Sequence, residues 1–293
     1  MEMALCLATI GGPVIFLINV LLTNVYLLLK PFFAHVFFLQ SYAKAFERAR
    51  FEIAKLWQCH GRLFHNHEIV GDHHNPDVRG AVIVYYHGAI PIDYMLLIVS
   101  TLLRKGRLIR SIVDRYMMFV PGFQMFAAGL GCFAGSRSDV VRVLREGRLV
   151  GIAPGGGYEA QLGSPDYPIM WKKRAGFARV AKEAGVPIIP VFTENIREAY
   201  VNLGAMRSMW RFIYDVSKIP FTPLYGGFPV QLITHVGAPI YPDDDMTVEE
   251  VHRMIYTDDP LKWYPLFHLE ITGNEHVRIT DGQVTKRPWY IER

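Results

Sequence analysis

His87 and Asp93 stand in the segment YYHGAIPIDY, Tyr85 to Tyr94, and their types suit proton transfer. A neutral imidazole can take a proton from an attacking alcohol. A carboxylate on its other nitrogen fixes the tautomer and stabilises the imidazolium. On one continuous helix, residues six apart point in different directions, so the two can meet only across a loop. Gly88 permits an unusual backbone, and Pro91 disfavours helix at Ile90. Asp93 falls at the expected N-cap of the next helix. The plainer alternative is a capping Asp beside a structural His, and residue types alone leave both readings open.

Three more stretches carry candidate chemistry. GCFAGSRSD, Gly131 to Asp139, sets Arg137 after a short strand and beside a helix start, a natural anion site. IAPGGGYEA, Ile152 to Ala160, is a glycine-rich turn followed by Glu159. It is neither a P-loop nor a Gly-x-Gly-x-x-Gly turn, because no Lys-Ser/Thr follows and the spacing differs. VPIIPVF, Val186 to Phe192, is a strand bracketed by Pro187 and Pro190. Lys172, Lys173 and Arg174 read either as further anion ligands or as a solvated basic helix end.

Alternating strand and helix patterns must position these residues. Buried strands are expected at Val82–Tyr86, Leu149–Ala153 and Val186–Phe192, with weaker ones at Leu108–Val113, Gly131–Ala134 and Pro229–Val236. Helices are expected at Asp93–Leu103, Tyr116–Leu130 (broken at Pro121-Gly122), Asp139–Arg145, Trp171–Glu183 and Thr247–Tyr256. Ser136 or Ser138 is the expected cap and Gly147 the stop of the Asp139 helix. The pattern predicts an α/β fold with a mostly parallel central sheet, whose ligands sit at the carboxyl ends of the strands. His60 to Asp77 reads as a polar loop, and the last twenty or so residues as a surface tail docked through Trp289 and Tyr290.

The N-terminus adds a membrane expectation. Met3 to Leu29 carries no formal charge, and a helix over it would reach about 40 Å, enough to cross a bilayer with tilt. Residues Pro31 to Ala43 are uncharged too. One span followed by an interfacial segment, or a hairpin turning near Asn19, Thr23 or Pro31, both fit. A cleaved signal peptide fits poorly, lacking a basic start and a small-x-small site. Lys44, Arg48, Arg50, Lys55 and Arg62 follow the apolar run, so the positive-inside rule places the globular part in the cytosol. Phe46, Ala49, Ile53 and Trp57 recur at helical spacing on an amphipathic helix. The expected organisation is a membrane segment over 1–43, an amphipathic helix and linker over 44–78, and a catalytic domain with its tail over 79–293. A net charge of +4 is too mild to argue for nucleic acid, and three scattered cysteines argue against a disulfide framework.

The order of the four blocks resembles the membrane glycerolipid acyltransferases, the lysophospholipid and diacylglycerol acyltransferase superfamily. There a His/Asp block is followed by an arginine block, a Gly-rich block with Glu, and a Val-Pro-x-x-Pro-Val strand. Here the blocks are His87/Asp93, Arg137, Pro154-Gly155-Gly156 with Glu159, and Val186 to Val191. Pro154 to Glu159 and Arg174-Ala175-Gly176-Phe177 are most similar to the diacylglycerol acyltransferase branch. The His87 segment is most similar to the transmembrane protein 68 group of monoacylglycerol/diacylglycerol acyltransferases. The resemblance implies an αβ sandwich that transfers an acyl chain to a mono- or diacylglycerol hydroxyl. His87 would be the base, Asp93 its orienter, and the Gly155–Gly157 amides the oxyanion donors. Arg137, Pro154, Gly155, Gly156 and Glu159 would bind substrate. It implies no cofactor or metal, an acyl-CoA or phospholipid donor, membrane lipids as partners, and an endoplasmic reticulum membrane location. One departure stands out: the common motif is His-x4-Asp, whereas residues 88–92 put five between His87 and Asp93.

Other classes compete. A lysophospholipid acyltransferase keeps the same chemistry. A lipid hydrolase would want a Gly-x-Ser-x-Gly elbow, absent here. A metal enzyme would use His60, His65, His67, His73 and His74, which lack a regular ligand spacing. A non-catalytic membrane lipid-binding protein would not need His87.

Overall fold

The computed structural model describes residues 2–38, 42–74, 76, 79–119, 123–165, 167–171, 173–202, 207–217, 224–243, 245–256, 277–280 and 283–286. In chain order the elements are α1 (Glu2–Phe38), α2 (Tyr42–His65), β1 (Glu68–Val70), β2 (Ala81–Tyr85), α3 (Ile92–Lys105), β3 (Ile109–Ile112), α4 (Phe123–Gly129), β4 (Cys132–Phe133), α5 (Arg137–Arg145), β5 (Leu149–Ile152) and α6 (Gly156–Leu162). They continue with α7 (Gly176–Ala184), β6 (Ile188–Glu194), α8 (Ile196–Ala199), β7 (Tyr200–Asn202), α9 (Arg207–Ser217), β8 (Leu224–Gly226), β9 (Ile233–Val236), α10 (Val248–Ile255), β10 (Val277–Thr280) and β11 (Gln283–Lys286).

Every residue of β2 is buried, as a strand covered on both faces must be. Ala81, Ile83 and Tyr85 pack on Tyr94, Leu97 and Ile98 of α3. The alternate Val82 and Val84 join the cluster that holds Val141 of α5 and Phe177 and Ala181 of α7. Seven strands form the main sheet in the order β1-β9-β6-β2-β5-β3-β4. β6, β2, β5, β3 and β4 run parallel, β9 pairs antiparallel with β6, and β1 joins β9 in parallel. The expected mostly parallel sheet is present, with β2 at its centre.

Ser136 caps α5 through a capping box with Asp139, and Gly147 follows that helix in the left-handed region. Elsewhere the boundaries moved. The polar stretch after His60 is not a plain loop: α2 continues to His65, and β1 pairs with β9. Helix α7 begins at Gly176 rather than Trp171. The tail contains the antiparallel hairpin β10–β11, while Trp289 and Tyr290 lie outside the described residues.

The hairpin alternative for the N-terminus is overturned at its proposed turns, because α1 is one helix through Asn19, Thr23 and Pro31. Its polar residues face α2, which runs back alongside it. Asn19 Nδ2 donates to His60 Nδ1 (3.1 Å), Trp57 Nε1 donates to the Thr23 hydroxyl (3.0 Å), and Lys30 and Tyr26 both meet Glu52. Leu17, Leu21, Leu28 and Phe32 point outward instead. Residues Val14–Val36 are long and apolar enough to cross a membrane.

Candidate active site

Three neighbouring strands, β6, β2 and β5, end side by side, about 4.8 Å apart across each pair. Past their carboxyl ends stand Arg197, His87 and the Pro154-Gly155-Gly156 turn. Parallel α/β sheets place ligands along this edge.

His87 is half-buried, and its Nδ1 lies 2.7 Å from the Gly88 carbonyl oxygen. A carbonyl only accepts, so Nδ1 carries the proton and Nε2 keeps the lone pair. Burial pushes the imidazole down to about 4, with the Gly88 bond opposing and the Arg197 charge assisting. His87 is therefore neutral at physiological pH, with the tautomer a general base needs.

Asp93 does not supply that tautomer. It is the second residue of α3, after Pro91 at the N-cap position. Its side chain is buried, and Oδ1 has no hydrogen-bond partner among the described residues. Burial pushes its carboxyl up to about 6, against the Tyr94 amide and the Thr193 hydroxyl. Thr193 shares a 2.9 Å hydrogen bond with Thr234, which shares another of 2.9 Å with His67 Nε2. Asp93 thus leans on β6 rather than on the imidazole. The extra residue of the His-x5-Asp spacing is taken up by a loop in which Gly88 is pinned. A Cβ there would come within 2.4 Å of Ile196.

Glu159 is fully buried beneath His87. Its Oε2 accepts the His87 backbone N–H and its Oε1 that of Met170, both at 3.0 Å. Burial raises its carboxyl to about 7, while those two amides and Arg197 oppose the rise. The Gly-rich turn wraps this carboxylate. A Cβ on Gly155 would sit 2.4 Å from the Glu159 side chain, and Gly156 adopts φ +50°, a conformation that favours glycine. Pro154 and Gly155 give their carbonyls to Arg174 Nη1, at 3.2 and 2.7 Å. The Gly156 amide is engaged by the Ala153 carbonyl (3.1 Å).

Arg197 is the residue that sequence reasoning missed. Buried just past β6, it donates Nη2 to the His87 (3.0 Å) and Glu159 (2.6 Å) carbonyls. Nη1 donates to the Ala160 carbonyl (3.0 Å) and Nε to the Tyr86 hydroxyl (2.9 Å). One guanidinium thereby ties the end of β2 to α6. The only signal was a lone arginine after a buried strand, which sequence alone reads as surface.

Arg137 stands apart from this group. At the start of α5, beyond the edge strand β4, it is exposed and paired with Glu183, Nε lying 2.7 Å from Oε2. The early histidines bind structure to structure. His65 Nδ1 donates to the Val230 carbonyl (3.2 Å) and His74 Nδ1 to that of Val236 (2.9 Å). Among the described residues no group of three or more His, Cys, Asp or Glu could hold a metal ion.

A sequence model of the family described as Acyltransferase matches residues 66–194. A human protein named "DGAT1/2-independent enzyme synthesizing storage lipids" is 39% identical over 245 residues, covering 82% of this chain and 75% of that protein. Its Bos taurus namesake is 37% identical over 268 residues, covering 89% and 79%. Among solved structures, the crystal structure of the 1-acyl-sn-glycerophosphate (LPA) acyltransferase PlsC from Thermotoga maritima aligns with a TM-score of 0.50. The alignment has 18% identity and covers 86% of this chain and 98% of that one. That likeness is one of fold.

Proposed function

This chain belongs to the acyltransferase family, and from that membership we propose that it moves a fatty acyl group onto the free hydroxyl of a mono- or diacylglycerol, with His87 as general base. The observation that carries the mechanism is the protonated Nδ1 held by Gly88, which leaves Nε2 ready to accept a proton. As the acceptor hydroxyl attacks the acyl carbonyl, Nε2 takes its proton. The tetrahedral intermediate then expels the thiolate of coenzyme A or the alkoxide of a lysolipid, which takes the proton back. The Gly155 and Gly157 amides serve as donors to the developing oxyanion. Pro154, Gly155 and Gly156 shape the turn, Glu159 and Arg197 hold it beneath His87, and Arg137 offers a peripheral cation to a phosphate-bearing donor. Relatives named for storage-lipid synthesis support a neutral glycerolipid as acceptor.

The protein works at a membrane. Helix α1 lies along charged α2 through its polar side and leaves its apolar side outward, which supports α1 dipping that face into the bilayer beside the domain. The basic residues that follow α1 support a cytosolic catalytic domain, and the family resemblance supports an endoplasmic reticulum membrane.

The test is lipid synthesis in membranes carrying the wild type or His87→Ala. Labelled acyl-CoA or labelled phospholipid is offered with mono- and diacylglycerol. The expected result is di- or triacylglycerol that falls at least about 10³-fold in the variant at equal protein level. Undiminished product from His87→Ala overturns the assignment, and acylation of lysophospholipid alone moves the acceptor to that class.

A further inference from the structure

Helix α9 has no part in the chemistry described above, yet it is built onto the Gly-rich turn. On its inner face the buried Tyr214 packs against Tyr158 and Leu162 of α6, the rings of the two tyrosines 5.8 Å apart. Its hydroxyl is also bonded to the Arg174 side chain, which holds the Pro154 and Gly155 carbonyls. At 100° per residue, positions two before and two after Tyr214 fall on the opposite face. They are Phe212 and Val216, 69% and 71% exposed. Arg211 and Asp215 flank them as an ion pair.

Strands β7 and β8, which flank α9 in the chain, pair with each other, and β8 lies against α1. Phe16 of α1 meets the Tyr200 ring of β7 at 5.8 Å. Next to this contact α1 exposes Leu17 and Leu21 (64% and 62%), and β8 exposes Tyr225. Exposed apolar side chains therefore stand on α1, on β8 and on α9. A helix with apolar residues on one side and a cation at its margin suits the headgroup–acyl boundary.

We propose that α9 is a second membrane-contact element, seated in the lipid bilayer through Phe212 and Val216, and that it fixes the mouth of the active site against the membrane. The proposal rests on the reading of α1 as a membrane element and of the site as a glycerolipid acyltransferase. It adds the surface through which the lipid acceptor arrives. Arg174 and Tyr214 connect that surface to the turn that faces the substrate carbonyl.

The test uses the full chain in phosphatidylcholine vesicles, with the native cysteines replaced and a nitrobenzoxadiazole label at Phe212→Cys or Val216→Cys. Met254→Cys, on exposed α10, is the control. At positions 212 and 216 a spin label on the lipid acyl chain should reduce emission by about twofold or more, and aqueous iodide should have little effect. The control should behave in reverse. Iodide quenching at 212 and 216 equal to that at 254 overturns the proposal. Shielding from both quenchers also overturns it, in favour of a protein partner. Because the labels report without turnover, this result is separate from that of the His87 experiment. In the Phe212→Asp/Val216→Asp double variant, kcat/KM for diacylglycerol in vesicles should fall about tenfold, against little change for a short-chain acceptor in solution. Equal loss for both acceptors counts against the surface role.

Discussion

Glu159→Gln isolates what the buried carboxylate does. Each of its oxygens accepts one backbone N–H, from His87 and from Met170. Glutamine can accept only one of them and turns an NH2 toward the other, so one amide donor is left facing a donor. That arrangement costs about 1–3 kcal/mol. If the His87 amide gives way, the imidazole moves with it, and a displacement of about 1 Å costs on the order of 10²-fold in rate. The variant should therefore lose kcat about 10- to 100-fold with little change in KM for the donor.

The pH dependence sharpens the test. Glu159 sits at about 7 in the folded protein, above its ordinary 4.5, because burial disfavours the charge. Its stabilising contribution is therefore complete below 4.5 and is lost as pH rises through 7, a change of about 3 kcal/mol. Glutamine does not titrate. In detergent, the thermal stability gap between wild type and variant should close by about that amount between pH 5 and pH 8. Activity should run the other way. The wild type should lose rate on the acid side of 7 as the carboxylate protonates, while the variant stays flat there, since His87 itself titrates near 4. A variant with wild-type kcat, or one that keeps the wild-type acid limb, refutes this reasoning.

Two further substitutions separate the remaining roles. Asp93→Asn should cost less than about tenfold in kcat, because Asp93 makes no bond to His87; a loss matching His87→Ala would show that the pair closes during turnover. Arg197→Met removes four hydrogen bonds to oxygens in a buried site, so thermal stability should fall by about 3–5 kcal/mol. Arg197→Lys should recover part of that loss, and an Arg197→Met protein as stable as wild type would deny the tie between β2 and α6.

Much of the framework was legible because it depends on local signals. The β-branched run at Val82–Tyr86 could only be a strand buried on both faces. Ser136 or Ser138 marked the cap of the Asp139 helix, a choice that the structure makes for Ser136, and the glycines after Ile152 announced a turn. What stayed hidden depends on contacts far apart in the chain. Nothing near Arg197 tells that its guanidinium reaches the His87 carbonyl, more than a hundred residues earlier. Nor does the composition of α1 reveal that Asn19 and Thr23 mark a docking stripe rather than a turn. Their partners, His60 and Trp57, identify it only when α2 is laid alongside.

The His-x5-Asp spacing joins these two kinds of information. A carboxylate one residue farther along is carried round the first turn of α3, away from the imidazole and toward Thr193. The imidazole still needs an acceptor on Nδ1 to be a base through Nε2, and the Gly88 carbonyl provides one. A neutral acceptor stabilises the imidazolium less than a carboxylate does, so the loop must be held by other means. Glu159 grips the His87 amide and Arg197 its carbonyl, one from each side of the same peptide segment. On this account the positioning expected of Asp93 has passed to the backbone of residues 87–88. The residues most sensitive to mutation beside His87 are then Glu159 and Arg197, neither of which is exposed to substrate.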